Sequence, residues 1–455
     1  MIYVGANDGM LHAIRADSGD TASGKEIFAY IPAGVYDKLS RLTATAYDHT
    51  YYVDGPPNSG DAYWDGSWKS VLVGGLGGGG KSIYALDITD PDGFGASDVL
   101  WEYSDAADLG NTYSQPQIAR LANGEWAAIF GNGYNSTSDQ AFLYIVKLSD
   151  GTLLKKIPAG NATGNGLSTP VLYDIDSDGI TDAVYAGDLL GNLWKFDLSS
   201  ATSSSWAIGN GGDPLFAATN DNGTTQPITS QPAVGGHNSG GVLVYFGTGR
   251  YLASTDPGDT TVQSFYAIWD KDTSGTVDRS QLQEQTITAE TTEFGFDIRE
   301  TSDNTVDWAG GKRGWYMDLT PPSGIASGER IVSKPLIKYD RVIFVTVLPS
   351  SDQCTAGGSS WIMELELMTG GRTTLSAFDF DGDGDFDSDD ELASGNVGSG
   401  VKSKVGITKT PTWLKGSDGK DFKELSGTSG GIMSLGNRGE VTPGTVKRLF
   451  WQQIQ

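Results

Sequence analysis

One unit recurs along the chain with degenerate spelling, and no other feature restricts the possible folds as much. Each copy opens on a small polar residue shortly before a proline, runs through two apolar strands with a loop between them, and ends on an aromatic-rich strand. The openings are VDGPP at 53–57, YSQP at 113–116, LSTP at 167–170, TSQP at 229–232, VSKP at 332–335 and TKTP at 408–411. The inner pairs align as well: VLVGG…KSIYALDI, AAIFGNG…AFLYIVKL, AVYAGD…NLWKFDL and LVYFGTG…SFYAIWD each place a small glycine-containing loop after one strand and an aromatic in the next. Repeats of roughly 40 to 60 residues made of short strands and Gly turns are the sequence form of β-propeller blades. The expected fold is therefore all-β, a propeller of six or seven blades.

The first residues, MIYVGANDGMLHAI, look like the inner pair of a blade without its opening strand, and TPTWLKGSDGKDFKEL near the end looks like an opening without its inner pair. Pairing of N- and C-terminal strands would complete one blade and remove exposed sheet edges. On this reading residues 1–455 form a single propeller domain, with an acidic loop inserted over 372–404. The stretch FGFDIRE…RGWYMDL, between 294 and 319, is a further blade or an insertion.

Composition agrees with many short strands joined by tight turns: 63 glycines, 10% aromatics, and no long Ala/Leu/Glu/Lys stretches. Asp and Glu outnumber Lys and Arg by 57 to 31, a formal charge of −26. Such a surface repels nucleic acid and anionic lipid, and makes divalent cations the natural partners. The single cysteine, Cys354, excludes an internal disulfide framework and a Cys-rich zinc site. No run of about 18 apolar residues is present to span a bilayer. The opening residues also lack the basic and apolar regions of a signal peptide. Export would then make this chain a processed or truncated piece of something longer, or half of a split system.

Gly75, Gly80, Lys81 and Ser82 match the phosphate-loop spacing G-x-x-x-x-G-K-S. The motif needs a helix after the glycines, yet IYALDITDP is β-branched and aromatic and stops at an Asp-Pro turn. The stretch reads as a hairpin at the same place in the repeat as GNGYNSTSD and GDLLG. GTSGG at 427–431 satisfies G-x-S-x-G, but no histidine follows it to complete a triad. His12, His49 and His237 show no metalloprotease spacing.

Three acidic loops carry the chemistry. In DIDSDGITD, Asp174, Asp176 and Asp178 alternate, Gly179 permits the sharp turn, Ile180 would offer a carbonyl and Asp182 closes the loop. These match EF-hand positions 1, 3, 5, 6, 7 and 9, the pattern that gathers oxygens around calcium. Position 12 is Tyr185, so the loop is compact, with Asp182 or water in place of the bidentate acid. The bland alternative is an Asp-Gly hairpin turn. In DFDGDGDFDSDD, Asp379, Asp381, Asp383, Asp385, Asp387 and Asp390 occupy positions 1, 3, 5, 7, 9 and 12, with Gly384 at 6. An acidic disordered tract is the alternative there. DKDTSGTVD offers Asp270, Asp272, Ser274, Thr276 and Asp278, with Gln281 at position 12, and reads equally as a polar turn or a metal site.

Propellers with W and DG punctuation also carry quinone cofactors, and LSDGTLLKKI and ALDITDPDGFGASDVLWEY resemble quinoprotein blades. A quinone-dependent (PQQ-type) dehydrogenase is thus the alternative function, although no cofactor-pocket signature or adjacent cysteine pair accompanies it. Taken together, YVGANDGMLHAI, VDGPPNSGDAYWDGSWKSVLVGGLGGGGKSIYALDIT, YSQPQIARLANGEWAAIFGNGYNS, DAVYAGDLLGNLWKFDL, LVYFGTGRYL, GERIVSKPL and FDFDGDGDFDSDDEL resemble the C-terminal domain of PilY-type type IV pilus tip adhesin and biogenesis proteins. The basic-aromatic end, KRLFWQQI, is similar too.

The resemblance covers essentially the whole chain in order. It implies a modified, quinoprotein-like propeller at the tip of a retractable pilus, exported and displayed at the cell surface in association with the outer membrane. It implies a non-enzymatic role in adhesion, twitching motility and pilus biogenesis, with minor pilins and the tip complex as partners. It further implies an N-terminal adhesin domain or companion chain and a host or abiotic surface ligand. The family's blade calcium loop maps onto Asp174, Asp176, Asp178, Ile180 and Asp182, where Ca2+ occupancy is linked to opposing retraction. The N-terminal half of such proteins is absent here, and no Arg-Gly-Asp tripeptide occurs to suggest integrin binding.

Overall fold

The computed structural model describes residues 1–17, 23–350, 357–415 and 421–439. Among them, seven blade-like antiparallel sheets follow one another along the chain, with a two-stranded ribbon besides. The chain divides into two compact units, Met1–Pro214 and Leu215–Gln455.

The first unit holds four sheets. Blade 1 is Ile2–Gly5, Leu11–Ile14 and Glu26–Tyr30. Blade 2 is Asn58–Trp64, Ser67–Gly75, Ile83–Asp87 and Val99–Tyr103. Blade 3 is Gln117–Arg120, Trp126–Gly131, Phe142–Lys147 and Leu153–Pro158. Blade 4 is Val171–Tyr173, Ala183–Gly187, Asn192–Asp197 and Ala207–Ile208.

Neighbouring sheets of this unit bury their faces against each other, which is why the middle strands are apolar on both sides. Val71, Val73, Ala128 and Phe130 share one core, and Ile129, Ile145, Val184 and Phe196 share the next. A serine ahead of an opening proline links one blade to the start of the next: Ser114 Oγ accepts the Gly131 N–H of blade 3 at 2.9 Å and donates to the Ser168 carbonyl, just before blade 4, at 3.4 Å.

The second unit holds the other three blade-like sheets and the ribbon, Leu348–Pro349 with Gly358–Ser359. Blade 5 joins Ala233–Gly236, Val242–Gly247, Ser264–Asp270 and Gly314–Asp318, with Gln283–Gln285 parallel to the last. Blade 6 runs in the spatial order Ile287–Glu293, Phe296–Thr301, Gly400–Lys402, Trp361–Glu366, Arg341–Val345, Leu336–Lys338. Blade 7 is Thr412–Lys415, Asp421–Ser426 and Ile432–Asn437.

All six proline openings immediately precede an edge strand of a blade, from Pro57 before Asn58 to Pro411 before Thr412. Proline lacks the N–H a central strand needs, so it marks a strand's start. The stretch 294–319 is neither a separate blade nor a simple insertion, because Phe296–Thr301 belongs to blade 6 and Gly314–Asp318 to blade 5. Likewise 410–425 is more than an opening: it has its own inner pair, Asp421–Ser426 with Ile432–Asn437. Of the C-terminal stretch expected to close the ring, residues 416–420 and 440–455 lie outside the described residues. The segment expected as an insert over 372–404 leaves blade 6 after Trp361–Glu366 and returns as Gly400–Lys402, itself a strand of that blade.

The phosphate-loop spelling is a hairpin. Ser67–Gly75 pairs antiparallel with Ile83–Asp87, closing at Gly75 opposite Ile83, and only a short 3-10 turn, Gly77–Gly79, lies between. A Cβ on Gly79 would sit 1.7 Å from the Tyr52 carbonyl oxygen, so glycine serves close backbone packing there and no phosphate cradle. GTSGG is the turn between the last two strands of blade 7.

Candidate metal centre

The loop 174–182 is the hairpin between the first two strands of blade 4, where Tyr173 faces Ala183. Its backbone wraps around its own carboxylates. Asp174 Oδ1 accepts the Ser177 N–H at 2.6 Å and the Asp178 N–H at 3.2 Å, and its Oδ2 accepts the Gly179 N–H at 2.7 Å. Asp178 Oδ1 accepts from Ile180 at 2.8 Å, and Asp182 Oδ2 reaches back to the Ile175 N–H at 2.8 Å. Ser177 and Gly179 take left-handed backbone, with φ of 66° and 85°, which folds the loop tightly enough to bring the acids together.

Asp174, Asp176 and Asp182 each place a carboxylate oxygen within 4.8 Å of the others. Oxygens bound to one calcium at about 2.3–2.6 Å lie at most about 5 Å apart, so this donor set fits a hard cation. Asp174 and Asp182 are half-buried while Asp176 and Asp178 are exposed. Burial, and then the charges of Asp176, Asp174 and Asp178, push the Asp182 carboxyl above the usual carboxylate range, against the lowering effect of the Ile175 N–H. Asp178 lies outside the three-oxygen group and is used on the Ile180 N–H.

The second loop collects Asp379, Asp381 and Asp383 within the same 4.8 Å limit. Asp390 is buried and accepts the Phe380 N–H at 2.5 Å and the Asp381 N–H at 3.4 Å. Burial pushes its carboxyl up to about 6, with Asp379 and Asp381 adding to the rise and the two N–H bonds opposing it. Asp385 and Asp387 stand apart from the group, and Asp387 caps the short 3-10 turn Ser388–Asp390 through the Asp389 N–H.

The loop 270–278 gathers no such set among the described residues. Asp270 is a buried strand residue that accepts the Asp272 N–H at 2.8 Å. Asp278 caps the turn Arg279–Gln281, accepting from Ser280 N at 2.8 Å, while Gln281 Oε1 accepts the Asp278 N–H at 2.9 Å. Position 12 is thus spent on a capping box. Ser274 and Thr276 lie between these two uses of the chain.

Two features escaped sequence reasoning. The Thr181 N–H donates to the Arg120 carbonyl at 2.9 Å, which ties the acidic hairpin to blade 3. In the neighbouring GDLLGNLW, Asp188 is fully buried and accepts from the Trp194 indole at 2.8 Å, Asn165 at 2.9 Å and Asn192 at 3.0 Å. Its G-D-x-x-G-N-x-W spelling is the signal that could have found it.

Fold and site together define a β-propeller protein whose blade hairpins carry clustered carboxylates. Residues 1–295 match the family model of the PilY1 beta-propeller domain, and the chain belongs to that family. The type IV pilus biogenesis factor PilY1 of Pseudomonas aeruginosa (strain PAO1) is 39% identical over 448 residues, covering 89% of this chain and 38% of that protein. A PilY1 homolog of Xylella fastidiosa (strain Temecula1) is 43% identical over 389 residues, covering 81% of this chain and 26% of the relative. The crystal structure of the P. aeruginosa PilY1 C-terminal domain matches with a TM-score of 0.81 at 35% identity, covering 96% of this chain and 92% of that one. The fold is a seven-bladed β-propeller. The chain spans between 26% and 38% of the length of these two curated relatives.

Proposed function

We propose that this chain is the calcium-binding propeller of a type IV pilus biogenesis factor, acting at the pilus tip in surface attachment, twitching motility and control of retraction. The observation that carries the reading is the Asp174, Asp176 and Asp182 group on a blade hairpin in a PilY1-family chain. The relatives are named as biogenesis factors, which supports a non-enzymatic role and a pilus-associated location. Minor pilins, an N-terminal adhesin region and a surface ligand are the partners this reading calls for.

Asp174 organises the turn through three backbone N–H groups, and Asp182 fastens its far end to Ile175. These bonds preset the carboxylates, which repel each other until a cation is shared among them. Calcium supplies the neutralising charge that lets the hairpin hold this shape. Because the preset loop exists only in the folded chain, calcium stabilises the blade by mass action. The test is a cell carrying Asp174→Ala in the full-length protein. Normal pilus assembly with calcium-insensitive retraction and attachment is expected. Unchanged calcium dependence of twitching and attachment would refute the role of this loop.

A further inference from the structure

The hairpin tips of blades 2 and 3 carry an aromatic cluster that the calcium loops do not explain. In blade 2 the two-residue turn Asp65-Gly66, with φ of 51° and 78°, sets Tyr63 directly across from Trp68. Their rings lie 5.5 Å apart and edge-on, and Trp126 of blade 3 stands 6.0 Å from Trp68. Tyr63 is 46% exposed and Trp68 57% exposed. Folding buries such rings where it can, so a tryptophan held open beside two further aromatics marks a surface built to be covered.

Next to the rings is a cleft of about 250 Å³, lined by Tyr63, Trp64 and Trp126 and edged by the polar residues Asn123, Glu125 and Ser149, with Trp68 outside the lining and packed against Tyr63 and Trp126. An amide, a carboxylate and a hydroxyl offer both donors and acceptors along one side, while the rings offer flat apolar faces on the other. A pyranose ring has that same division, with C–H groups on its faces and hydroxyls around its rim. The lysines near the cleft are already paired: Lys69, over the Trp64 ring, lies 2.7 Å from Asp87, and Lys147 lies 3.3 Å from Glu125 and 3.6 Å from Asp150. The formal charge of −26 further disfavours sulfated or uronic polymers.

We propose that the Tyr63, Trp68 and Trp126 platform with its Asn123/Glu125/Ser149 edge is a binding site for neutral carbohydrate. The site stands on its own geometry and does not require either acidic loop to hold calcium.

The test titrates the whole chain with cellopentaose, maltopentaose and chitopentaose, following tryptophan fluorescence and calorimetry, with a heparin hexasaccharide and a proline-rich decapeptide alongside. At least one neutral oligosaccharide should bind and quench fluorescence, and Trp68→Ala should weaken it about tenfold or more, since truncating an aromatic anchor removes most of a small site's contact. Trp68 is exposed, so this variant keeps its fold, while Trp68→Phe should retain much of the affinity. Tyr36→Ala, 57% exposed away from the cleft, should change nothing. Failure of all three neutral sugars at millimolar concentration would overturn the proposal. So would binding of heparin or the peptide alone, or sugar binding that survives both Trp68→Ala and Trp126→Ala.

Discussion

The loops at 174–182 and 379–390 begin alike and finish differently. In each, the first acid accepts the N–H three residues on: Ser177 for Asp174 and Gly382 for Asp379. In each, the third and fifth positions accept from two residues on: Asp178 and Ile180 in one, Asp383 and Asp385 in the other. In each, the closing acid returns to the second position, Asp182 to Ile175 N and Asp390 to Phe380 N. The closing acid stands at position 9 in the blade hairpin because the next strand starts at Ala183. It stands at position 12 in the longer excursion, where Phe380 packs with Phe378 and Phe294. One motif is therefore closed either by a strand or by a core, and only the strand-closed form brings its last carboxylate into the three-oxygen group.

The comparison breaks most visibly at the closing residue. Asp390→Ala leaves the Phe380 and Asp381 N–H groups without their acceptor, so it should destabilise the chelator-treated protein by about 1–3 kcal/mol in urea melts. The exposed Asp178→Ala should cost about 0.5 kcal/mol or less under the same conditions. Equal losses would show that the two loops are not held differently.

Next comes affinity. Asp176→Ala and Asp381→Ala each remove one oxygen of a separate group, so each should lower calcium affinity about tenfold or more at its own loop and leave the other unchanged. Loss at both loops from one variant would join them into a single site.

A smaller effect is expected with pH in calcium-free protein. Asp390 binds its proton more tightly folded, with a pKa of about 6, than unfolded, near 3.8. Its contribution is fully present below the unfolded value and is lost as pH rises through about 6, so stability should fall over that window. Asp390→Asn should flatten the slope, as measured by urea melts across pH.

The smallest effect sharpens the link between blades. Filling the 174–182 loop should shift the Trp126 indole resonance slightly, because Thr181 N is bonded to Arg120 O and Arg120 faces Trp126 across the strand pair. Filling 379–390 should not.

Much of the fold was legible because a proline opens six of the seven blades and glycine marks their turns. The six openings before Asn58, Gln117, Val171, Ala233, Leu336 and Thr412 each mark a real strand start. The region 294–319 was not legible, since its two strands join different sheets and local pattern carries no record of a distant partner. The alternation of acids in the calcium-type loops was plain, but the buried state of Asp390 depends on an aromatic cluster drawn from separate segments. Nothing in the local sequence marks Trp68 as exposed; its exposure belongs to the tertiary arrangement alone.

The most direct test of the account is calcium calorimetry on the chelator-stripped chain, with wild type beside Asp176→Ala and Asp381→Ala. The account predicts binding heat in wild type from two separable sites, one lost in each variant while the other persists. No heat in wild type, or an isotherm unchanged by Asp176→Ala, would contradict the claim that the blade hairpin at 174–182 holds calcium.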